Sequence, residues 1–152
     1  MKLSDLGILH GYSELSAIIY SIDGIFSQGY IDHMSWDIEY TDEFGMWWNS
    51  LSEDEQISLA ASVQLLEERG PTLVFPHSSG INGSKHSPMR ELRTQHDGRP
   101  LRTLYAFDPR RSAIFLIGGD KTGDNRWYDI HIPIADQFYD EHLLQLKKEG
   151  LI

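Results

Sequence analysis

Along the chain the apolar positions recur first at helical spacing, then at alternate residues, and at helical spacing again near the end. In residues 1–33, Leu15, Ile18, Ile19, Ile22 and Phe26 repeat every three or four positions, with Ser13 a candidate N-cap and Gly24 marking the end. That segment holds one basic residue, Lys2, and no strand pattern, so we expect an appendage, a short amphipathic helix or a flexible piece, ahead of a main domain at 34–152. There Trp36, Ile38 and Tyr40 alternate with Asp37 and Glu39, the period of a half-buried strand. Thr41 or Asp42 can cap a short helix bearing Phe44, Trp47 and Trp48. Ser52 and Glu55 form a capping box for a second helix, whose stripe of Ile57, Ala60, Val63 and Leu66 ends at Gly70-Pro71.

Residues 71–88 carry Pro, Gly and Ser without periodicity and read as a long loop, which in a compact domain is usually functional or disordered. Three strand patterns follow: "MRELRTQH", "PLRTLYAF" and "SAIFLIGG", the first two joined by Asp97-Gly98 and the last two by the turn "DPRR". Pro133 fits the first turn of a closing helix anchored by Ile134, Phe138, Leu143 and Leu146. The expected fold is α+β: a small, mainly antiparallel sheet with two N-terminal helices and one C-terminal helix, helices on one face and the other face available.

A length of 152 residues suits one domain with a real core. The absence of cysteine removes disulfides, thiolate metal sites and cysteine nucleophiles. No apolar run approaches the roughly 20 residues of a membrane span, and the expectation is a soluble, cytoplasmic protein. Net charge is −10, which by itself argues against nucleic acid. The charges are unevenly spread, however. Residues 85–111 carry Lys85, Arg90, Arg93, Arg99, Arg102, Arg110 and Arg111 against Glu91, Asp97 and Asp108, whereas the rest holds six basic and twenty acidic residues. A chain so polarised can bind a polyanion through one face; a solvated sheet face, with each arginine paired to Glu91, Asp97 or Asp108, is the plainer alternative.

The stretch "GGDKTGDNRWYD" after the last strand pattern looks like a phosphate loop. It lacks the P-loop spacing, because Phe115 stands where the first glycine is required and Asp120 where the second is, directly before Lys121-Thr122. His77, His86 and His96 fall in one region, but with no carboxylate at ligand spacing they make a weak metal set, and no metal is expected. His96, beside Asp97-Gly98, is better suited to a turn hydrogen bond than to catalysis. Trp47 and Trp48 are read as core.

Four segments, "GMWWNSLSEDEQISLAASVQLLEERGPTL", "GSKHSPMRELR", "GRPLRTLYAFDPRRSAIFLIGGDKTGDNRWY" and "IPIADQFYDEHLLQLKKEG", resemble the HigB-like, phage-derived branch of the RelE/ParE toxin superfamily over about residues 35–150. The resemblance implies a RelE-like fold, a HigA-like helix-turn-helix antitoxin encoded nearby, and cleavage of mRNA on the ribosome without metal or other cofactor. The phosphate at the glycine turn would then be the scissile RNA phosphate, attacked by the neighbouring 2′-hydroxyl.

That chemistry needs a proton acceptor, a proton donor and cations around the transition state. Carried over by motif, the catalytic candidates are Lys85, His86, Arg93, Lys121 and Tyr128, with Arg90, Arg102 and Arg126 as RNA contacts. Histidine as a residue type exchanges protons near neutrality, which makes His86 a candidate, while Lys85 would need its pKa lowered by neighbouring cations to move a proton. Asp120, Asp124 and Asp129 around the loop depart from the strongly basic surface common in this family. A ParE-like inhibitor of DNA gyrase and a catalytically inactive antitoxin-binding module are the alternatives.

Overall fold

The computed structural model describes residues 35–152, so the expectation for residues 1–33 lies outside the described part. The described chain runs β1 (Ile38–Tyr40), α1 (Asp42–Ser50), α2 (Glu53–Arg69), a 3-10 turn (Gly70–Thr72), β2 (Ser78–Gly80), β3 (Met89–His96), β4 (Arg99–Phe107), β5 (Ala113–Asp120) and α3 (Trp127–Lys148). The five strands form one sheet in the order β1-β5-β4-β3-β2. β1 lies parallel to β5, and every other pair is antiparallel.

Local signals set most of these elements. Thr41 Oγ1 accepts the Phe44 N–H at 3.1 Å and donates to the Leu116 carbonyl at 2.7 Å, so the cap of α1 is also fastened to β5. Ser52 and Glu55 form the reciprocal capping box of α2. α2 ends at Gly70, where φ is +52° and a Cβ would lie 2.2 Å from Trp36 Nε1; glycine is required on both counts. At the β3–β4 turn Asp97 and Gly98 take φ of 48° and 74°, the left-handed pair of a type I′ hairpin.

Four expectations need correction. The sheet has no open face: α1 and α2 cover one side, where Phe44, Trp48, Leu59, Val63 and Leu66 meet Leu92, Tyr105 and Phe115, and α3 covers the other, where Trp127, Ile132, Ala135 and Tyr139 meet Met89, Leu104, Ala106, Ile114 and Leu116. β4 and β5 read "LYAF" and "AIFLI", continuous apolar runs, and such strands are buried on both sides. Second, the 71–88 loop contains edge strand β2, which "SSG" cannot announce because its pairing is made by backbone groups. Third, α3 starts at Trp127, leaving Pro133 inside the helix on its exposed side. Docking of the Trp127 indole beneath β5, together with the Asp124 carboxylate accepting the Arg126 N–H at 2.9 Å, starts the helix before proline is reached. Fourth, Ile57 is exposed, and Leu59 takes its place in the stripe of α2.

The far half of α3 is held by a charged cluster. Buried Asp108, at the β4–β5 turn, accepts from His142 Nε2 at 2.9 Å and from the Arg110 guanidinium at 2.7 Å, and Arg110 also reaches Glu39 of β1 at 3.0 Å. Burial pushes the Asp108 carboxyl up, but the hydrogen bonds from His142 and Arg110 outweigh it and hold the pKa at about 2. A carboxylate depressed in the folded state stabilises fully above its unfolded pKa, and that stability disappears as pH falls through the folded value. Asp108→Asn should therefore cost about 2 kcal/mol at pH 6 and flatten the loss of stability between about pH 4 and pH 2, as measured by urea denaturation across that range.

Candidate functional site

Alternation along β3 sorts the charged residues of "MRELR". Glu91 and Arg93 share the α3 face with Met89, whereas Arg90, Leu92 and Thr94 face α1 and α2. Register then places Arg93 directly opposite Arg102 of β4, and Arg102 opposite Gly119 of β5. Two like charges facing across strands repel. Glu91, only 4% exposed, supplies the counter-charge: Oε1 accepts from Arg93 Nη1 at 2.9 Å and from Ser79 Oγ at 2.7 Å, and Oε2 lies 3.7 Å from Arg102 Nε. The first turn of α3 adds Tyr128, whose hydroxyl donates to Glu91 Oε2.

The cluster is polar but not saturated. Arg102 is buried; its Nη1 donates to the Leu101 carbonyl at 3.0 Å, while its Nε has no hydrogen-bond acceptor. Burial, and then the Glu91 carboxylate, push the Tyr128 hydroxyl pKa above the usual tyrosine value, so the phenol stays protonated. Lys121 Nζ stands 5.5 Å from the centroid of the Tyr128 ring. Beside these groups opens a cleft of about 300 Å³ lined by Gly80, Ile81, Asn82, Glu91, Tyr128 and Ile132.

Arg93, Arg102, Lys121 and Tyr128 are thus brought together, while other candidates stand elsewhere. Lys85 and His86 are fastened to α3 beyond the cleft: Lys85 Nζ pairs with Asp140 at 2.6 Å, His86 Nε2 meets the same carboxylate at 2.7 Å, and buried Asp136 accepts from Ser84 Oγ and the Lys85 N–H. Asp140 follows Tyr128 by twelve positions, roughly 18 Å along the helix axis. The hydrogen bond to Asp140 raises the Lys85 pKa, the opposite of the lowering that proton transfer by Lys85 requires. Arg90 lies on the other face, donating from Nε to Ser78 Oγ at 3.2 Å. Arg126 is exposed at the start of α3. His96 bonds Ser58 Oγ through Nδ1 at 2.8 Å and sits 3.3 Å from Asp97, a structural role at the turn.

The glycine turn has its own explanation. A Cβ on Gly118 would lie 2.1 Å from Trp47 Cε3, and one on Gly119 would lie 2.7 Å from Trp127 Nε1, so the pair admits two indoles from opposite faces. Asp120 accepts from the Thr122 N–H at 2.9 Å and from Arg99 at 3.1 Å, and Asp124 caps the Arg126 N–H, so these carboxylates are used in turns and an ion pair. Among the described residues no group of three His, Asp or Glu is placed to hold a metal ion, and no helix is long and apolar enough to cross a membrane. Glu91 and Ser79 are the members that sequence reasoning missed as site residues. The two-residue spacing of Glu91 and Arg93 was the available signal, since it puts both on one face.

Removing the shared counter-ion should be costly. Glu91→Ala leaves Arg102 buried and uncompensated, with an expected loss of about 3–5 kcal/mol in chemical denaturation. Arg93→Ala, at a half-exposed position, should lose distinctly less.

Residues 46–140, from within α1 to the middle of α3, match the family described as phage derived protein Gp49-like. A Mycobacterium tuberculosis protein named "Putative toxin HigB3" is 48% identical over 92 residues, covering 60% of this chain and 79% of that protein. A second from the same organism, "Putative toxin HigB2", is 38% identical over 118 residues, covering 76% of this chain and 58% of that protein. Among solved structures, a mutant of the E. coli toxin RelE in the free state aligns with a TM-score of 0.45 at 10% identity, over 74% of this chain and 99% of its own. With most of its described length inside the matched region, the chain belongs to the phage-derived Gp49-like, HigB-type family.

Proposed function

We propose that this chain is the toxin of a type II toxin–antitoxin pair and that the Glu91-centred cluster is the site of a metal-independent endoribonuclease cutting mRNA on the ribosome. The toxin reading is supported by the names of the HigB relatives. The observation that carries the nuclease is the convergence of Arg93, Arg102, Lys121 and Tyr128 beside one cleft.

In this reading the RNA phosphate lies against Arg93, of whose guanidinium Glu91 engages one nitrogen, leaving further N–H donors for phosphate oxygens. The ribose 2′-oxygen attacks phosphorus and the bond to the 5′-oxygen breaks, giving a 2′,3′-cyclic phosphate and a 5′-hydroxyl. The 2′-hydroxyl proton passes to Tyr128 Oη as the phenol proton moves to Glu91, a relay supported by the Tyr128–Glu91 hydrogen bond. Arg93 and Arg102 offset the charge gathering on the phosphorane, and the Lys121 ammonium protonates the leaving oxygen. Lys85 and His86, fixed to Asp140, hold the RNA backbone further along α3, with Arg126 beside the helix start; Arg90 acts from the opposite face only as support for β2. A HigA-like helix-turn-helix antitoxin keeps the toxin silent.

A second reading, an antitoxin-binding module without activity, draws on one observation: Glu91 already neutralises much of the arginine charge. Mapping mRNA 5′ ends after brief induction decides. The nuclease gives new ends inside coding regions, a gyrase inhibitor gives DNA-damage signalling with intact transcripts, and a mere binding module gives neither. Arg93→Ala, with its fold verified, should lower cleavage by about 10² to 10³, as for loss of one transition-state donor, and wild-type cleavage should persist in EDTA. Normal cleavage by a folded Arg93→Ala would remove Arg93 from the mechanism.

A further inference from the structure

Outside the cleft, one aromatic side chain is displayed to solvent beside the cations. Phe75 is 68% exposed, and among the described residues no other phenylalanine, tyrosine or tryptophan is as open to solvent. Its backbone is held. Leu73 on one side and Ser78 on the other are buried, the His77 and Ser78 N–H groups both donate to the Val74 carbonyl, at 3.1 and 3.2 Å, and the Arg93 N–H donates to the His77 carbonyl at 2.8 Å. The turn thus continues the β2–β3 ladder. Arg93 Cζ stands 5.1 Å from the centroid of the Phe75 ring, so the guanidinium that pairs with Glu91 also touches Phe75.

A ring held at a fixed place beside a cation, its remaining surface in water, suits a ligand that is planar and apolar at one end and anionic at the other. A nucleotide has that form: its phosphate goes to arginine and its base to the ring. In a duplex the base faces are already stacked on one another, so only an unpaired strand can offer one. We propose that Phe75 is a stacking platform for a base of single-stranded RNA next to the phosphate held by Arg93. The proposal rests on the nuclease reading and adds the form of the substrate and a residue that selects it.

The test is the rate of cleavage on ribosomes programmed with a defined mRNA, at varied substrate concentration, for wild type, Phe75→Ala and Phe75→Tyr. Because the side chain is exposed, the melting temperature should not change. Phe75→Ala should raise KM by about 10-fold, with a smaller effect on kcat, and Phe75→Tyr should restore the wild-type value. Equal KM for wild type and Phe75→Ala overturns the platform while leaving the nuclease reading intact. A wild type that cuts nothing removes both. Loss of antitoxin affinity in Phe75→Ala, with KM unchanged, would make the ring a protein-docking residue and likewise overturn the proposal.

Discussion

The shared Glu91 carboxylate is the constraint on which the α3 face of the sheet depends. Arg93 and Arg102 face each other across β3 and β4 under helix α3, an arrangement that requires an anion beside it. The same carboxylate receives Ser79 from the edge of the sheet and Tyr128 from α3, so four elements or their side chains meet at one group. Stability and charge are therefore coupled here: the group that makes buried Arg102 and partly exposed Arg93 tolerable side by side also sets how much positive charge the cluster presents. In a chain of net charge −10, any attraction of this cluster for a polyanion would come from the local arrangement and not from the overall field.

Much of the fold was legible because its signals are local. A type I′ turn needs left-handed residues and Asp97-Gly98 supplies them; helix ends need acceptors and Thr41 and Ser52 supply them. What escaped depended on partners distant in sequence. Edge strand β2 has no apolar alternation to reveal it, and the start of α3 is set by Trp127 finding the space above Gly119, which overrides the usual position of proline in a first turn. The covering of both faces was written in the unbroken apolar runs of β4 and β5, but a short apolar run is ambiguous until its neighbours are known.

The site was legible in residue type more than in placement. Resemblance to a family singled out Arg93, Lys121 and Tyr128; in the structure Tyr128 lines the Glu91 cleft, Arg93 is paired with Glu91, and Lys121 lies against the Tyr128 ring. Alternation alone separates Arg90 from Arg93, three positions apart and on opposite faces. No sequence pattern could show that Lys85 and His86 would be taken up by Asp140, because that carboxylate lies more than fifty residues away. The aspartates around the glycine turn seemed hostile to RNA as formal charges. In place, Asp120 is engaged by Arg99 and Thr122 and Asp124 by the Arg126 N–H, so two of the three carboxylates have partners of their own.

The adjacent glycines of β5 carry a mechanical consequence. Trp47 presses on the sheet at Gly118 and Trp127 at Gly119, from opposite sides, with no side chain between either indole and the strand. This makes a waist two residues long, where only backbone lies between the two indoles. A movement of α1 need not travel through the packed interior to reach the first turn of α3, because at the waist the two layers bear on the same short piece of backbone. Tyr128, the next residue after Trp127, joins that contact directly to the Glu91 carboxylate.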